Sequence, residues 1–173
     1  MRRMPTRIDP APPATTPEGI AAEAQILASR GKITPLYRVL LHSLPVAQGW
    51  EALLTAVRQQ TALDPALREL IILRVAVLNR AGYEYESHLP YARQAGLSER
   101  KIAALKGGDL TDFNDTELAV LGYTDALTRQ VHVDDATFER VRSHFDPCGL
   151  VEVTATIAAY NMVSRFLTAL DVH

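Results

Sequence analysis

The chain has 173 residues, a formal net charge of −2 and 22% charged residues, which is typical of a globular protein with a hydrophobic core of its own. This charge balance gives no basic surface for a polyanion, so nucleic acid is not an expected partner. No apolar run approaches the roughly 18 residues of a membrane span, and the single cysteine excludes an intrachain disulfide and is typical of a cytoplasmic protein.

Residues 1–15 are rich in proline and predict an extended N-terminal arm. They contain arginines but no apolar stretch of the kind found in a secretory signal. We expect this arm to be either disordered or laid against a neighbouring subunit. Residues 16–173 are expected to form a single domain.

Helix starts recur after the arm, each marked by a capping residue followed by proline at the first helical position. Pro45 also begins a helix, which carries Trp50 and runs to about Gln60. The fourth helix reads PALRELIILRVAVLN and the last one carries apolar residues at helical spacing. The capped starts are Thr16-Pro17, Thr34-Pro35, Asp64-Pro65 and Asp146-Pro147.

Four further helices are predicted between residues 82 and 145. The first runs to Gly96 and contains Pro90, which should kink or split it. Ser98 caps a short one, Asn114 opens a capping box with Glu117, and Asp134 caps the fourth. No segment has the alternating pattern of a strand, so the sequence predicts an all-α fold of about eight helices joined by short loops.

In the fourth helix Arg74 is the one charged residue of the otherwise apolar stretch from Leu70 to Leu78, and Glu69 precedes that stretch. A buried guanidinium stays protonated and needs an acidic partner. Five residues separate the two along the helix, about 140° on a repeat of 3.6 residues per turn, so they face different neighbours. Arg74 should pair with an acid on another element, and both residues are either structural ion-pair partners or part of a site.

The helix that follows begins GYEYESH and places Glu84 one turn before His88. A carboxylate on the same helix face can orient an imidazole and raise its pKa, which makes the pair usable for proton transfer. An exposed pair of little consequence is the alternative. Glu86 points to another side and should be solvated.

Cys148 stands in the first turn of the last helix, where backbone N–H groups favour a thiolate. Asp146 beside it opposes that effect, so packing at a helix start is the favoured interpretation. The other histidines lack the spacing of metal ligands, and the sequence contains neither a phosphate-binding loop nor a C-x-x-C motif.

Taken as one unit, the segment from residue 68 to 102 resembles the carboxymuconolactone decarboxylase family of the alkylhydroperoxidase D-like superfamily. The family pattern runs Arg-Glu-Leu, an apolar stretch, Arg-Val-Ala, Tyr-Glu-Trp, His, Ala and Gly-Leu-Ser. Tyr85 replaces the tryptophan of that pattern. The matching positions are Arg68, Glu69, Leu70, Arg74, Val75, Ala76, Tyr83, Glu84, Tyr85, His88, Ala92, Gly96, Leu97 and Ser98.

The superfamily has a redox branch with a C-x-x-C motif that begins seven residues before the histidine. In this chain those two positions are Ala81 and Glu84. A thiol peroxidase needs a thiolate nucleophile, so the resemblance implies the non-redox branch and disfavours peroxidase activity.

The resemblance implies a lyase that removes carbon dioxide from a small carboxylated lactone or related organic acid by acid–base catalysis. In that interpretation His88 is the general acid/base, and Glu69 or Glu84 sets its protonation. Tyr83 and Tyr85 line the substrate pocket, and Arg74 anchors an anionic substrate if the pocket reaches it. No metal and no organic cofactor is required.

The resemblance also implies a homo-oligomer, a trimer or a hexamer. Two alternatives stay open on the same scaffold. One is another proton-transfer reaction, such as isomerisation or dehydration. The other is a binding protein without catalytic activity, for which Glu69, Glu84 and His88 would lie apart.

Overall fold

The computed structural model describes residues 7–173, so the first six residues of the predicted arm lie outside it. Over the described range the chain forms nine α-helices, one π-helical turn and no strand. The predicted all-α class is confirmed, and each of the nine helices corresponds to a start named from the sequence. The helices are α1 (Pro17–Arg30), α2 (Pro35–Leu40), α3 (Leu44–Thr55), α4 (Pro65–Leu78), α5 (Gly82–Gln94), α6 (Glu99–Ala104), α7 (Asp115–Gln130), α8 (Asp135–Arg142) and α9 (Pro147–Leu170), and the π-helical turn Ala56–Gln60 follows α3 directly.

Local capping explains where several helices begin. Thr16 accepts a hydrogen bond from the Gly19 N–H, and Asn114 and Glu117 form the reciprocal capping box. Thr34 occupies the N-cap of α2 without a side-chain bond to the backbone. Pro90 lies inside α5, which continues past it as one helix, so the predicted split does not occur.

Cα packing divides the chain into two compact units, one containing the residues up to Gln60 with Leu167–His173 and the other Thr61–Phe166. In the first unit, the Ala11 N–H donates to the Arg38 carbonyl and the Arg7 N–H to that of Leu170, each over 3.0 Å. The described part of the arm is therefore held by hydrogen bonds to its own chain. A single domain over residues 16–173 stays a prediction.

α4 lies at the centre of the second unit. Its residues Leu70–Leu73 and Val75 have no solvent exposure, as expected for a helix that is apolar on every side. It packs most extensively against α5 and then α7. This burial brings the charged side chains of α4 into contact with those two helices. Within residues 7–173 no helix combines the length and hydropathy that crossing a bilayer requires.

Candidate active site

A Schellman turn at the end of α4 sets the direction of α5. The Ala81 N–H donates to the Ala76 carbonyl over 2.8 Å, and the Arg80 N–H donates to the Val77 carbonyl over 3.1 Å. Arg80 has φ 55°, a left-handed conformation that glycine usually supplies at this position. The turn reverses the chain, so that α5 packs back on α4.

Glu69, His88 and Glu84 meet where α5 packs on α4. His88 Nδ1 lies 2.7 Å from Glu69 Oε2 in a hydrogen bond between the two helices. His88 Nε2 lies 3.2 Å from Glu84 Oε1, an ion-pair contact within α5. The three side chains are buried, with exposed fractions of 3–5%. The two helices thus enclose an imidazole between two carboxyl groups.

The protonation of His88 follows from this arrangement. Burial lowers the pKa of the ring because it penalises the charged form. The hydrogen bonds and negative charges of Glu69 and Glu84 outweigh that effect and raise the pKa of His88 above its ordinary value. An imidazole with a carboxyl oxygen near each nitrogen can donate from both nitrogens when it is protonated, so this arrangement favours the charged, proton-donating form.

Two tyrosine rings flank His88. The Tyr160 ring of α9 meets it edge to face, with centroids 5.3 Å apart and an interplanar angle of 90°. Tyr91 lies 5.6 Å away and is 46% exposed. Tyr160 is 1% exposed, so its ring shields one side of the imidazole from water. The sequence marks Tyr160 only as one of the regularly spaced apolar residues of α9.

Tyr83 and Tyr85, the two tyrosines expected to line the pocket, lie in different surroundings. Tyr83 is half-buried, and this burial raises its pKa although a hydrogen bond with Ser87 opposes the shift. Tyr85 is buried, and its hydroxyl donates to the Ile102 carbonyl over 3.4 Å. Lys106 Nζ lies 4.2 Å from the centroid of the Tyr85 ring. Tyr85 therefore packs on α6 and the residues that follow it.

Arg74 pairs with an acid on another helix, as its position on α4 predicts. Its Nε donates to Asp125 Oδ1 of α7 over 2.6 Å, and a terminal nitrogen donates to the other carboxylate oxygen. The second terminal nitrogen donates to the Leu105 carbonyl over 2.6 Å. This bidentate pair links α4 to α7, and a substrate would have to compete with it for the guanidinium.

Arg68 is a residue near the site that sequence reasoning passed over. Its Nε lies 3.8 Å from Glu69 Oε1, the carboxylate oxygen that does not bond His88. That Nε is buried and has no hydrogen-bond partner among residues 7–173. The Arg-Glu pair of the family pattern was the available signal, because it places a guanidinium next to the carboxylate.

Cys148 lies apart from these side chains, exposed in the first turn of α9. Its Sγ is 3.8 Å from Glu152 Oε1. The charge of Glu152, then burial and Asp146, raise the pKa of the thiol. The thiol is therefore less nucleophilic than that of an ordinary cysteine, but its exposure contradicts the packing that the sequence predicts at this helix start.

A small cavity lies in the first unit, between α1 and α3. It is lined by Ala22, Gln25, Ile26, Ala47, Gln48 and Glu51. The Glu51 carboxylate already accepts hydrogen bonds at both oxygens, from Ser29, Arg30, Tyr37 and Thr55, so it has a structural role. Over residues 7–173 we find no group of three or more histidine, cysteine or acidic side chains arranged to hold a metal ion.

Two curated proteins are similar to this chain in sequence. YnjA of Escherichia coli, an uncharacterized protein, is 31% identical over 117 residues, which are 66% of this chain and 64% of the length of YnjA. YdfG of Bacillus subtilis, also uncharacterized, is 29% identical over 65% of this chain and 78% of its own.

Solved structures share the fold. Protein ATU0492 of Agrobacterium tumefaciens, of unknown function, is 27% identical with a TM-score of 0.69, over 73% of this chain and 88% of that one. An alkylhydroperoxidase AhpD core from Ralstonia eutropha has a TM-score of 0.82 at 18% identity, over 97% of this chain and 91% of that one.

The sequence pattern of the carboxymuconolactone decarboxylase family matches residues 45–126, a range that contains Glu69, Glu84 and His88. The Arg-Glu-Leu and Tyr-Glu segments that carry the resemblance both fall inside it. Through this region the chain is similar to the carboxymuconolactone decarboxylase family.

Proposed function

We propose that this protein is a lyase that removes carbon dioxide from a small carboxylated lactone or related organic acid, with Glu69, His88 and Glu84 as its acid–base group. The observation that carries the proposal is the buried imidazole held between two carboxyl groups. A histidine that merely fills a core needs one satisfied partner, whereas this one is arranged as a charged proton donor.

In this proposal the three side chains have different roles. Glu69 orients the ring through Nδ1 and stabilises its positive charge, since its hydrogen bond is the shorter of the two. Glu84 faces Nε2 on the other side of the ring, so a proton leaving Nε2 passes to or beside Glu84. Glu84 stands where the redox branch has a cysteine, and the site therefore moves protons rather than electrons.

The reaction itself needs only one proton from the site. The carbon–carbon bond to the departing carboxylate breaks, carbon dioxide leaves, and the electron pair moves through the conjugated system of the substrate to another carbon. That carbon takes the proton from the His88 group, and solvent then returns a proton to the site. Burial favours this step because it leaves the departing carboxylate poorly solvated.

Tyr83, half-buried next to Glu84, is the tyrosine that we propose as a pocket wall. Tyr85 does not line the pocket in this proposal; it packs on α6, where its hydroxyl donates to the Ile102 carbonyl. Arg74 is less available to bind an anionic substrate than the sequence suggests, because three of its N–H donors bind Asp125 and Leu105. We propose that Arg74 stabilises the packing of α4 on α7.

Assembly into a trimer or hexamer stays a prediction, which light scattering can check.

A screen of carboxylated lactones and unsaturated organic acids for release of carbon dioxide tests the proposal. The matching methyl esters serve as controls, since they carry no free carboxylate to lose. Release from at least one acid and from none of the esters is expected. No release from any conjugated acid across the screen would reject the reaction class.

The second candidate is an isomerase on the same site. The arrangement that favours it is the presence of an acceptor on each side of His88, because an isomerase must take a proton from one carbon and return one to another. Incubation of the same compounds in heavy water separates the two reactions. An isomerase introduces deuterium without loss of carbon dioxide, whereas a decarboxylase does both together.

A further inference from the structure

We infer that Arg68 binds a carboxylate of the substrate beside the Glu69–His88–Glu84 group and so selects anionic substrates. This inference rests on the proposed function, because it assigns the binding contact of that same site. Arg68 is not among the residues that the sequence predicts to bind substrate.

The first ground is the state of the Arg68 side chain. Its Nε is buried without a hydrogen-bond partner among the described residues, and the side chain as a whole is only 16% exposed. A buried donor without an acceptor is rare in native proteins, since it loses the hydrogen bonds of water and gains none. The position therefore calls for an acceptor that the described residues do not supply.

The second ground is the distance to the proposed catalytic group. Arg68 Nε lies 3.8 Å from Glu69 Oε1, too far for a hydrogen bond, and the other oxygen of Glu69 binds His88. An anion bound to Arg68 would therefore lie next to the Glu69 carboxyl group, which binds His88. Arg74 offers no such position, because its guanidinium is held by Asp125 and Leu105.

The third ground is the charge of the site. The group holds two acidic side chains against one imidazole, so an anionic substrate needs a further cation nearby. Arg68 supplies that cation, and its planar guanidinium offers Nε and a terminal nitrogen as parallel donors to a carboxylate. The acceptor that fits this pair of donors is a carboxylate.

The carboxylate on Arg68 is one that the substrate keeps. A departing carboxylate loses its charge as carbon dioxide forms, so a guanidinium bound to it would stabilise the starting state and slow the reaction. An anchor at Arg68 therefore implies a second acidic group on the substrate. This anchor orients the scissile bond toward Glu84 and His88 without taking part in bond breaking.

Binding of an unreactive probe tests the inference without any turnover. A saturated five-membered lactone with one carboxymethyl group cannot delocalise the electron pair, so it stays intact, and its methyl ester is the neutral control. Calorimetry then gives the acid-to-ester ratio of affinities for the wild-type protein, Arg68→Gln, Arg68→Lys and, as a matched control, Arg100→Gln, an exposed arginine on α6 paired with Asp112. Circular dichroism checks that each variant keeps its helices.

We expect the wild-type protein and Arg100→Gln to prefer the acid by about tenfold or more, as a charged hydrogen-bonded pair does. Arg68→Gln should lose this preference, and Arg68→Lys should lose most of it, because lysine keeps the charge but not the paired donors. Equal preference in the wild-type protein and Arg68→Lys would mean that Arg68 acts through its charge alone, and would overturn the inference.

An unchanged ratio in Arg68→Gln, or no binding of the acid to the wild-type protein, would overturn it as well. The proposed reaction fails separately, when no conjugated acid in the screen loses carbon dioxide. In that case a lost acid preference in both Arg68 variants still establishes the anchor.

Discussion

His88 Nδ1 and Glu69 Oε2 lie 2.7 Å apart, although 19 residues separate the two in the chain. The hydrogen bond joins α5 to α4 in the interior of the second unit, and it is the shorter of the two contacts that hold the imidazole. Glu84, one turn before His88, completes the group from the same helix.

The first prediction concerns the pKa of His88. Glu69→Gln removes the stronger of the two interactions that raise this pKa against the effect of burial, so the pKa should fall. Glu84→Gln should lower it less, because that contact is longer. The proton NMR signals of the His88 ring, followed against pH, measure both shifts. Glu86→Gln, an exposed position on the same helix, is the matched control, and an equal shift in that variant would contradict the assignment.

The second prediction concerns stability against pH. The folded-state pKa of His88 is raised, so its contribution to the free energy of unfolding is complete below the unfolded pKa of about 6.5. That contribution is lost as the pH rises through the folded-state pKa. Urea unfolding of the wild-type protein should show this loss on the alkaline side, and His88→Gln should lack it. Parallel curves for the two proteins at all pH values would be inconsistent with a charged His88.

The third prediction concerns Glu51. Burial raises the pKa of this carboxyl, but hydrogen bonds from Ser29, Tyr37, Thr55 and Arg30 outweigh burial and lower it. Its stabilising contribution is therefore present above the unfolded pKa and disappears as the pH falls through the lower folded value. Glu51→Gln should reduce the free energy of unfolding at neutral pH by about 3–5 kcal/mol, since it leaves the buried Arg30 without a charged partner.

Acid titration of both proteins checks this third prediction. The difference between the wild-type protein and Glu51→Gln should shrink as the pH falls, because the wild-type carboxyl then becomes neutral as well. A difference that stays constant to low pH would show that the charge of Glu51 does not contribute.

The fourth prediction concerns the turn between α4 and α5. Arg80 adopts a left-handed conformation, with φ 55°, which costs a residue with a side chain about 1–2 kcal/mol. Arg80→Gly should remove much of this cost and raise the free energy of unfolding by about 1 kcal/mol. Glu86→Gly, in the regular part of α5, should lower it by a similar amount. Denaturant unfolding of the two variants measures both, and a loss in each would rule out strain at Arg80.

The helices could be predicted because their starts are local. A capping residue and a proline next to it determine the start of α1 or α4 whatever the rest of the chain does. The continuation of α5 past Pro90 is harder to predict from sequence. Local preference favours a break at proline, but tertiary packing on α4 holds the helix together.

The candidate site depends on relationships that local patterns do not contain. The spacing of Glu84 and His88 on one helix face follows from the sequence, but the contact with Glu69 depends on which face of α4 meets α5. The family resemblance supplied that link. The partner of Arg74 was predicted to be an acid on another element, yet Asp125 lies 51 residues away and no pattern singles it out. The unpartnered Nε of Arg68 is visible only once the surrounding residues are in place.

The most direct test of the central claim is the rate of carbon dioxide release by His88→Gln, on the best acid from the screen. Glutamine keeps a polar side chain between the two carboxyl groups but cannot donate a proton to carbon. His132→Ala, an exposed histidine after α7, is the control. We predict that His88→Gln loses activity by about a hundredfold or more while His132→Ala keeps it. Equal rates in the wild-type protein and His88→Gln would contradict a role for His88 in the reaction.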